Sequence, residues 1–130
     1  MSEVRNKILI VEDETTLREI LETCLQSQEY EADSAENGRD ALVKCRAFRP
    51  DLILLDVVLP DILGIEVLET VRSAPAEYGS PDVIVMSGNE HLRNEDAKQR
   101  WRTLYGIRDF VNKPFDFESM LRRIDAVLKT

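Results

Sequence analysis

Asp51-Leu52-Ile53-Leu54-Leu55-Asp56-Val57-Val58-Leu59-Pro60 is the stretch whose reading decides the fold. Its apolar residues Leu52 to Leu55 follow one another without alternation, which reads as a strand buried on both faces, as in a parallel sheet. Asp56 stands at the far end of that strand, and Pro60 stops the run soon after. An acid there lies at the rim of the fold, where open α/β sheets place their chemistry. By itself Asp56 reads as a nucleophile, a metal ligand or, most commonly for such an acid, a helix cap. The other strand ends decide.

Upstream, Ile8-Leu9-Ile10-Val11 is a buried first strand that runs into Glu12-Asp13-Glu14. Leu17, Ile20, Leu21, Cys24 and Leu25 recur at helical spacing. Thr16 and Glu19 have the capping-box spacing that places the helix start there. Tyr30 to Ala35 is a more polar strand, expected nearer a sheet edge. Asn37-Gly38 makes a turn or cap, Ala41, Leu42, Cys45 and Phe48 mark a second helix, and Pro50 closes the unit.

Downstream, Gly64 allows a tight turn, and Val67, Leu68, Val71 and Ala74 mark a third helix. Pro75 and Gly79-Ser80-Pro81 break the chain. Val83-Ile84-Val85-Met86 is a fourth buried strand delivering Ser87-Gly88. After the polar stretch Asn89 to Asn94, a fourth helix carries Ala97, Trp101, Leu104 and Tyr105 on one face, with Asn94 as its cap. Asp109 to Asn112 is a short fifth strand ending in Lys113-Pro114. Asp116 caps a last helix bearing Met120, Leu121, Ile124, Val127 and Leu128. About five repeats of strand then helix predict an α/β fold, a doubly wound five-stranded parallel sheet with helices on both faces and right-handed crossovers.

The 130 residues suit one domain, residues 1–130, able to bury a core without staples. With 43% hydrophobic and 32% charged residues the chain reads as soluble and globular. A net charge of -8 argues against direct nucleic-acid binding by this segment and suits basic protein patches or a cation. Cys24 and Cys45 lie far apart, form no zinc spacing and fall on apolar helical positions, as core thiols do. Met1 to Lys7 has no apolar signal core and no run approaches membrane-spanning length, so the expectation is no membrane and a reducing cytoplasm.

Four strands bring polar residues to the same carboxyl edge: Glu12 and Asp13 from the first, Asp56 from the third, Ser87 from the fourth and Lys113 from the fifth. Three carboxylates converging there repel and raise one another's pKa values. A divalent, oxygen-loving cation relieves that, and Mg²⁺ commonly takes one or two carboxylates plus waters and phosphate oxygens. Carboxylates also serve as nucleophiles giving aspartyl-phosphates. Phosphoryl transfer needs positive charge on the equatorial oxygens, which a cation and the Lys113 ammonium can supply. The Ser87 hydroxyl can donate to another oxygen, and at Gly88 no side chain blocks the backbone N–H.

These residues also resemble a family. Ile8-Leu9-Ile10-Val11-Glu12-Asp13-Glu14, Leu54-Leu55-Asp56-Val57-Val58-Leu59-Pro60 with Gly64, Met86-Ser87-Gly88 and Asn112-Lys113-Pro114-Phe115 are similar to the response-regulator receiver domain of two-component signalling. Ala35-Glu36-Asn37-Gly38-Arg39-Asp40-Ala41-Leu42 resembles its second-helix entry, and the likeness covers essentially the whole chain. The resemblance implies a flavodoxin-like strand order 2-1-3-4-5, which the receiver fold exemplifies. It implies that Asp56 accepts a phosphoryl group from a sensor histidine kinase or a histidine phosphotransfer protein. It further implies Mg²⁺ held by Glu12, Asp13, Asp56 and the Val58 carbonyl, Ser87 as switch hydroxyl, Lys113 as phosphate partner and Phe110 as an aromatic that moves inward. The peptide before Pro114 is then cis. The face built from the fourth helix, fifth strand and last helix would be read by a downstream effector or covalently linked output domain, or would form a phosphorylation-dependent homodimer.

Three positions depart from the family pattern. Glu12 stands where many members have Asp, Leu63 where a polar residue is frequent, and the stretch from Ser87 to Lys113 is several residues long, most simply at Asn89 to Asn94. His91 in that loop has no ligand partner at metal spacing and reads as a surface residue. Trp101 and Tyr105 read as a helix face on the sheet, and Arg122 and Arg123 as solvated. Two alternatives remain. One is a metal-dependent aspartyl-phosphate phosphohydrolase, which generally wants a second acid two residues after the nucleophile, where this chain has Val58. The other is a receiver-like module that binds a partner without phosphorylation. In the sequence as read no helix-turn-helix pattern or second domain follows Lys129-Thr130, so the expectation is either a single-domain regulator or the receiver of something longer.

Overall fold

A computed structural model describes residues 5–88 and 94–129. The expectations for Asn89 to Asn94 and for His91 fall mostly on residues 89–93, outside the described residues. The strands are β1 (Lys7–Val11), β2 (Glu31–Ala35), β3 (Leu52–Asp56), β4 (Asp82–Ser87) and β5 (Ile107–Asn112). The helices are α1 (Thr15–Ser27), α2 (Gly38–Phe48), α3 (Gly64–Ser73), α4 (Pro75–Tyr78), α5 (Glu95–Tyr105) and α6 (Phe117–Leu128).

All pairings are parallel and the order is β2-β1-β3-β4-β5. This is the flavodoxin-like sheet the sequence predicts. The unbroken apolar runs explain it: every residue of β3 is buried, and Ile8 to Val11 of β1 are buried with them. Alternate residues feed two cores. Leu9, Val11, Ile53, Leu55, Val83 and Val85 meet α2, α3 and α4, with α5 added at the margin. Ile8, Ile10, Leu52, Leu54, Ile84 and Met86 meet α1 and α6 on the other face. Each fully buried branched side chain is worth about 1.5–3 kcal/mol over its exposed state. β2, the most polar strand, lies at the edge as expected.

Several local expectations are corrected. The first helix starts at Thr15 after Glu14, with no side-chain cap, so Thr16 and Glu19 form no capping box. The reason lies in the turn before it, where the Glu12 carboxylate accepts the Glu14 N–H at 3.1 Å and sets where the helix can begin. The break after the third helix contains the extra helical turn α4, which buries Tyr78. Its signature is in the sequence: Pro75 at the first helical position and Gly79, at φ +78°, just past the end. β5 begins at Ile107, two residues before the expected Asp109, because Gly106 at φ +64° ends α5 sharply. Leu104 is exposed and not on the inward face of α5. Ala97, Trp101 and Tyr105, one turn apart, take that face instead. Gly64 has no left-handed backbone. It opens α3, and its role is close approach. Cys45 is buried, with its thiol pushed up to about 11 by burial against the smaller opposing fields of Arg49 and Arg72, while Cys24 is half-buried.

Candidate functional site

Parallel register sets Val11 beside Leu55, Asp56 beside Met86 and Ser87 beside Asn112, so four strand ends share one rim. The backbone ladder continues past the strands: Glu12 N–H bonds the Ala35 carbonyl at 3.0 Å, Val57 N–H that of Met86 at 3.2 Å and Lys113 N–H that of Ser87 at 2.7 Å. These bonds carry the strand geometry out to the functional side chains.

Glu12, Asp56 and Ser87 are the buried polar residues among those described, at 0, 6 and 1% exposure. Carboxylates so deep need partners, because an uncompensated buried charge costs several kcal/mol, roughly 3–5 when a partner is removed. Lys113 supplies them. Its ammonium bonds Glu12 Oε1 and, at 2.9 Å, Asp56 Oδ2. Each acid's other oxygen accepts a backbone donor, Glu12 Oε2 from Glu14 N–H at 3.1 Å and Asp56 Oδ1 from Val58 N–H at 3.1 Å. Burial pushes the Glu12 carboxyl up to about 7, with the Asp56 charge adding to it. The Lys113 hydrogen bond and the Glu14 N–H pull the other way. Burial alone would lower the Lys113 pKa, but its bonds to Glu12 and Asp56 raise it above the ordinary value. Lys113 therefore stays a cation.

Asp13 is exposed beside this pair. One carboxylate oxygen each from Glu12, Asp13 and Asp56 lie within 4.8 Å of one another. An all-oxygen, anionic donor set of that size fits a hard divalent cation, with open positions left for water or phosphate. Gly88 is exposed at the same rim, and among the described residues nothing lies within 4 Å of where its Cβ would stand. The Lys113–Pro114 peptide is cis. Phe110 is half-buried against the α3-side core, with Lys98 Nζ 5.9 Å and the Arg102 guanidinium 4.9 Å from its ring centre.

Sequence reasoning missed the residues that fasten the loops. Arg18 donates to the carbonyls of Glu12 at 2.9 Å and Asp13 at 3.4 Å, and lies 3.9 Å from Glu36. It thereby holds the acidic turn by its backbone, a contact no side-chain spacing announces. Lys98 and Arg102 escaped because charged residues on an amphipathic helix read as its wet face, although their charged ends lie over the Phe110 ring. Arg123 is not simply solvated either, since it bonds Asp109 at 2.8 Å.

The family model for the response regulator receiver domain matches residues 8–125. The response regulator ArlR of Staphylococcus aureus is 36% identical over 123 residues, 95% of this chain and 52% of that protein. The chain thus spans about half the length of the curated relatives it matches. Among solved structures, the chemotaxis protein CheY4 of Vibrio cholerae superposes with TM-score 0.83 at 28% identity, over 95% of this chain and 99% of that one. The response regulator TrrA of Thermotoga maritima, solved in complex with Mg²⁺ and BeF, gives 0.76 at 30% identity, over 94% of this chain and 98% of that one. The fold, the acidic rim and a family match over nearly all its length agree, and the chain belongs to the response-regulator receiver family, whose members are signalling modules and not turnover enzymes.

Proposed function

We propose that Asp56 is the phosphoacceptor of a two-component relay and that Glu12, Asp13, Asp56 and the Val58 carbonyl hold Mg²⁺ for that reaction. The observation that carries this is the Lys113 ammonium bridging Glu12 and Asp56, at the rim where Glu12, Asp13 and Asp56 converge within 4.8 Å. When bound, the metal neutralises the carboxylates and draws charge from the phosphoryl oxygens. The Asp56 carboxylate attacks phosphorus, forming a C(=O)–O–P bond as the phosphorus–nitrogen bond to the donor histidine breaks and the imidazole leaves with the electron pair. Val58 N–H fixes Oδ1, so attack falls to Oδ2, which must first exchange its contact with Lys113. Lys113 then turns to a phosphoryl oxygen and the Ser87 hydroxyl and Gly88 N–H take the others. That rearrangement is transmitted through β5 to Phe110 and to the face of α5, β5 and α6.

The TrrA complex with Mg²⁺ and BeF, a phosphoryl mimic, supports reading this rim as a metal and phosphoryl site. Family membership implies a histidine kinase or histidine phosphotransfer protein as donor. In our reading residues 1–130 act as one receiver and the output lies in an effector, in a linked domain such as the longer relatives have length for, or in a homodimer through that face. Among the described residues no helix is long and apolar enough to cross a membrane. The reading places the chain in the cytoplasm and gives it no direct grip on nucleic acid. Val58 has no proton to give a leaving group, so turnover hydrolysis gains no support. Acetyl phosphate with Mg²⁺ should add one acid-labile phosphoryl group by intact-mass measurement, and Asp56→Asn should abolish it. An unchanged mass for the natural chain would sink the proposal.

A further inference from the structure

The loop from Val57 to Leu63 joins Asp56 to α3 and places Val58 against the Asp56 carboxylate. Its base is closed by Gly64, whose N–H bonds the Val57 carbonyl at 2.8 Å. A Cβ on Gly64 would come within 2.4 Å of the Asp56 carbonyl oxygen, so only glycine lets α3 start so near the site. The base alone does not set the direction of the loop's tip. Leu63, at the N-cap of α3, has no side-chain acceptor, and only Glu66 Oε1 reaches back to its N–H, at 3.3 Å.

Asp61 fixes the tip elsewhere. Its Oδ1 accepts the Gly38 N–H at 2.8 Å and its Oδ2 the Arg39 N–H at 3.0 Å, both at the start of α2. The same Oδ1 accepts the N–H of Ile62 at 2.8 Å. The Gly38 and Arg39 N–H groups are orphan donors at the positive end of a helix, where a carboxylate is favoured. Asn37, at the N-cap of α2, takes the Asp40 N–H at 2.7 Å, so two side chains cap α2 and only one of them belongs to the loop. Ile62 then packs over Gly38, where a Cβ would stand 2.3 Å from its Cγ1. The tip is both hydrogen-bonded and seated.

We propose that Asp61 is a positioning residue for the chemistry at Asp56, clamping the loop to the N-terminus of α2 so that Val58 keeps its N–H on Asp56 and its carbonyl available to the metal. The inference rests on the reading of Asp56 as an Mg²⁺-dependent phosphoacceptor. Asn37 provides the control, because its loss also uncaps α2 but leaves the loop tethered.

The test compares Asp61→Ala, Asp61→Asn and Asn37→Ala with the natural chain. Mg²⁺ alone is titrated while the Val58 and Asp56 amide resonances are followed, and acetyl phosphate labelling is then timed across the same Mg²⁺ range. Asp61→Ala should weaken Mg²⁺ binding about tenfold, the low end of what losing a supporting partner costs a metal site. The labelling rate at saturating Mg²⁺ should change much less. Asp61→Asn keeps one acceptor and should recover most of that loss, while Asn37→Ala should lower the unfolding temperature and leave the titration within about twofold of the natural chain. Equal Mg²⁺ affinity in Asp61→Ala and the natural chain would overturn the proposal. So would an equal loss in Asn37→Ala, which would make the effect one of α2 stability. If the natural chain takes up neither Mg²⁺ nor a phosphoryl group, the phosphoacceptor reading fails first and this one falls with it.

Discussion

β5 has a different neighbour on each side of the sheet, and the two are fastened in opposite ways. α6 buries Met120, Ile124 and Val127 against the sheet. It adds a short Tyr30–Asp125 hydrogen bond and an Arg123–Asp109 ion pair at 2.8 Å. α5 buries no residue at all. It rests on the half-buried Trp101 and Tyr105, on two cations over the Phe110 ring, and on the bond from Arg72 Nε to the Tyr105 carbonyl at 2.8 Å. Packing strength follows buried apolar area, so one side of β5 is locked while the other can shift at low cost. A signalling edge needs that asymmetry, since elements that move are drawn from the low-stability end of a structure.

The largest test of the comparison is therefore a pair of truncations. Ile124→Ala should cost about 3 kcal/mol, within the usual range for emptying a packed aliphatic site. Trp101→Ala removes a much larger side chain, yet it should cost only about 1–2 kcal/mol, because a half-buried ring returns less than the roughly 3–5 of a buried one. Urea unfolding measures both, and the slope with denaturant should not change. If Trp101→Ala proves as costly as Ile124→Ala, α5 is locked too and the contrast is gone.

The same asymmetry explains what could be read from the chain alone. Strands β1, β3 and β4 are apolar runs without alternation, and a sheet interior is the plainest place for them, so the fold class followed, while the strand order came from the resemblance to receiver domains. Asp56, Glu12, Asp13, Ser87 and Lys113 were legible because strand ends in a parallel sheet share a rim whatever the loops do. What escaped was long-range and carried by backbone atoms. Nothing in the order of residues says that Arg18 grips two carbonyls or that Asp61 reaches the amides of a different helix. Nor does a helical pattern reveal that Lys98 and Arg102, not Leu104, cover Phe110. α4 was legible in principle, from Pro75 and Gly79, but four residues show no periodicity.

At the rim, Lys113, the residue after β5, ties Glu12 and Asp56 together, and pH decides how firmly. The Glu12 carboxyl lies at about 7 against an ordinary 4.5, through burial first and the Asp56 charge after it. The folded chain thus holds a proton between those values that the unfolded chain releases. Stability from this group is full below about 4.5 and is lost as pH rises through about 7, the sign expected for a raised acid. A bound cation reverses that trend, because Glu12 must be ionised to ligate it. At ten times its dissociation constant near pH 7.5, Mg²⁺ should stabilise the fold by about 1.4 kcal/mol. The same concentration should give much less at pH 5.5, and melting curves at the two pH values measure the difference. An Mg²⁺ increment independent of pH would remove Glu12 from the metal site, and with it the idea that this end of β5 is set by charge.

The smallest effect separates loose packing from mere exposure. The Arg102 guanidinium stands 4.9 Å from the centre of the Phe110 ring, and Lys98, its side chain only 15% exposed, stands at 5.9 Å. A cation over an aromatic face is worth about 0.5–1 kcal/mol where water still reaches it. Arg102→Ala should therefore cost about that much in global stability. Its local signature should be sharper: faster amide exchange along α5, no change along α6. Leu104→Ala, on the exposed side of the same helix, should stay within about 0.5 kcal/mol and leave exchange alone. If Arg102→Ala speeds exchange on both helices alike, β5 passes every disturbance to either side and the two helices are one cooperative unit. If only α5 responds, the cations over Phe110 are what fastens α5 to β5, and the loose side of β5 has a named latch.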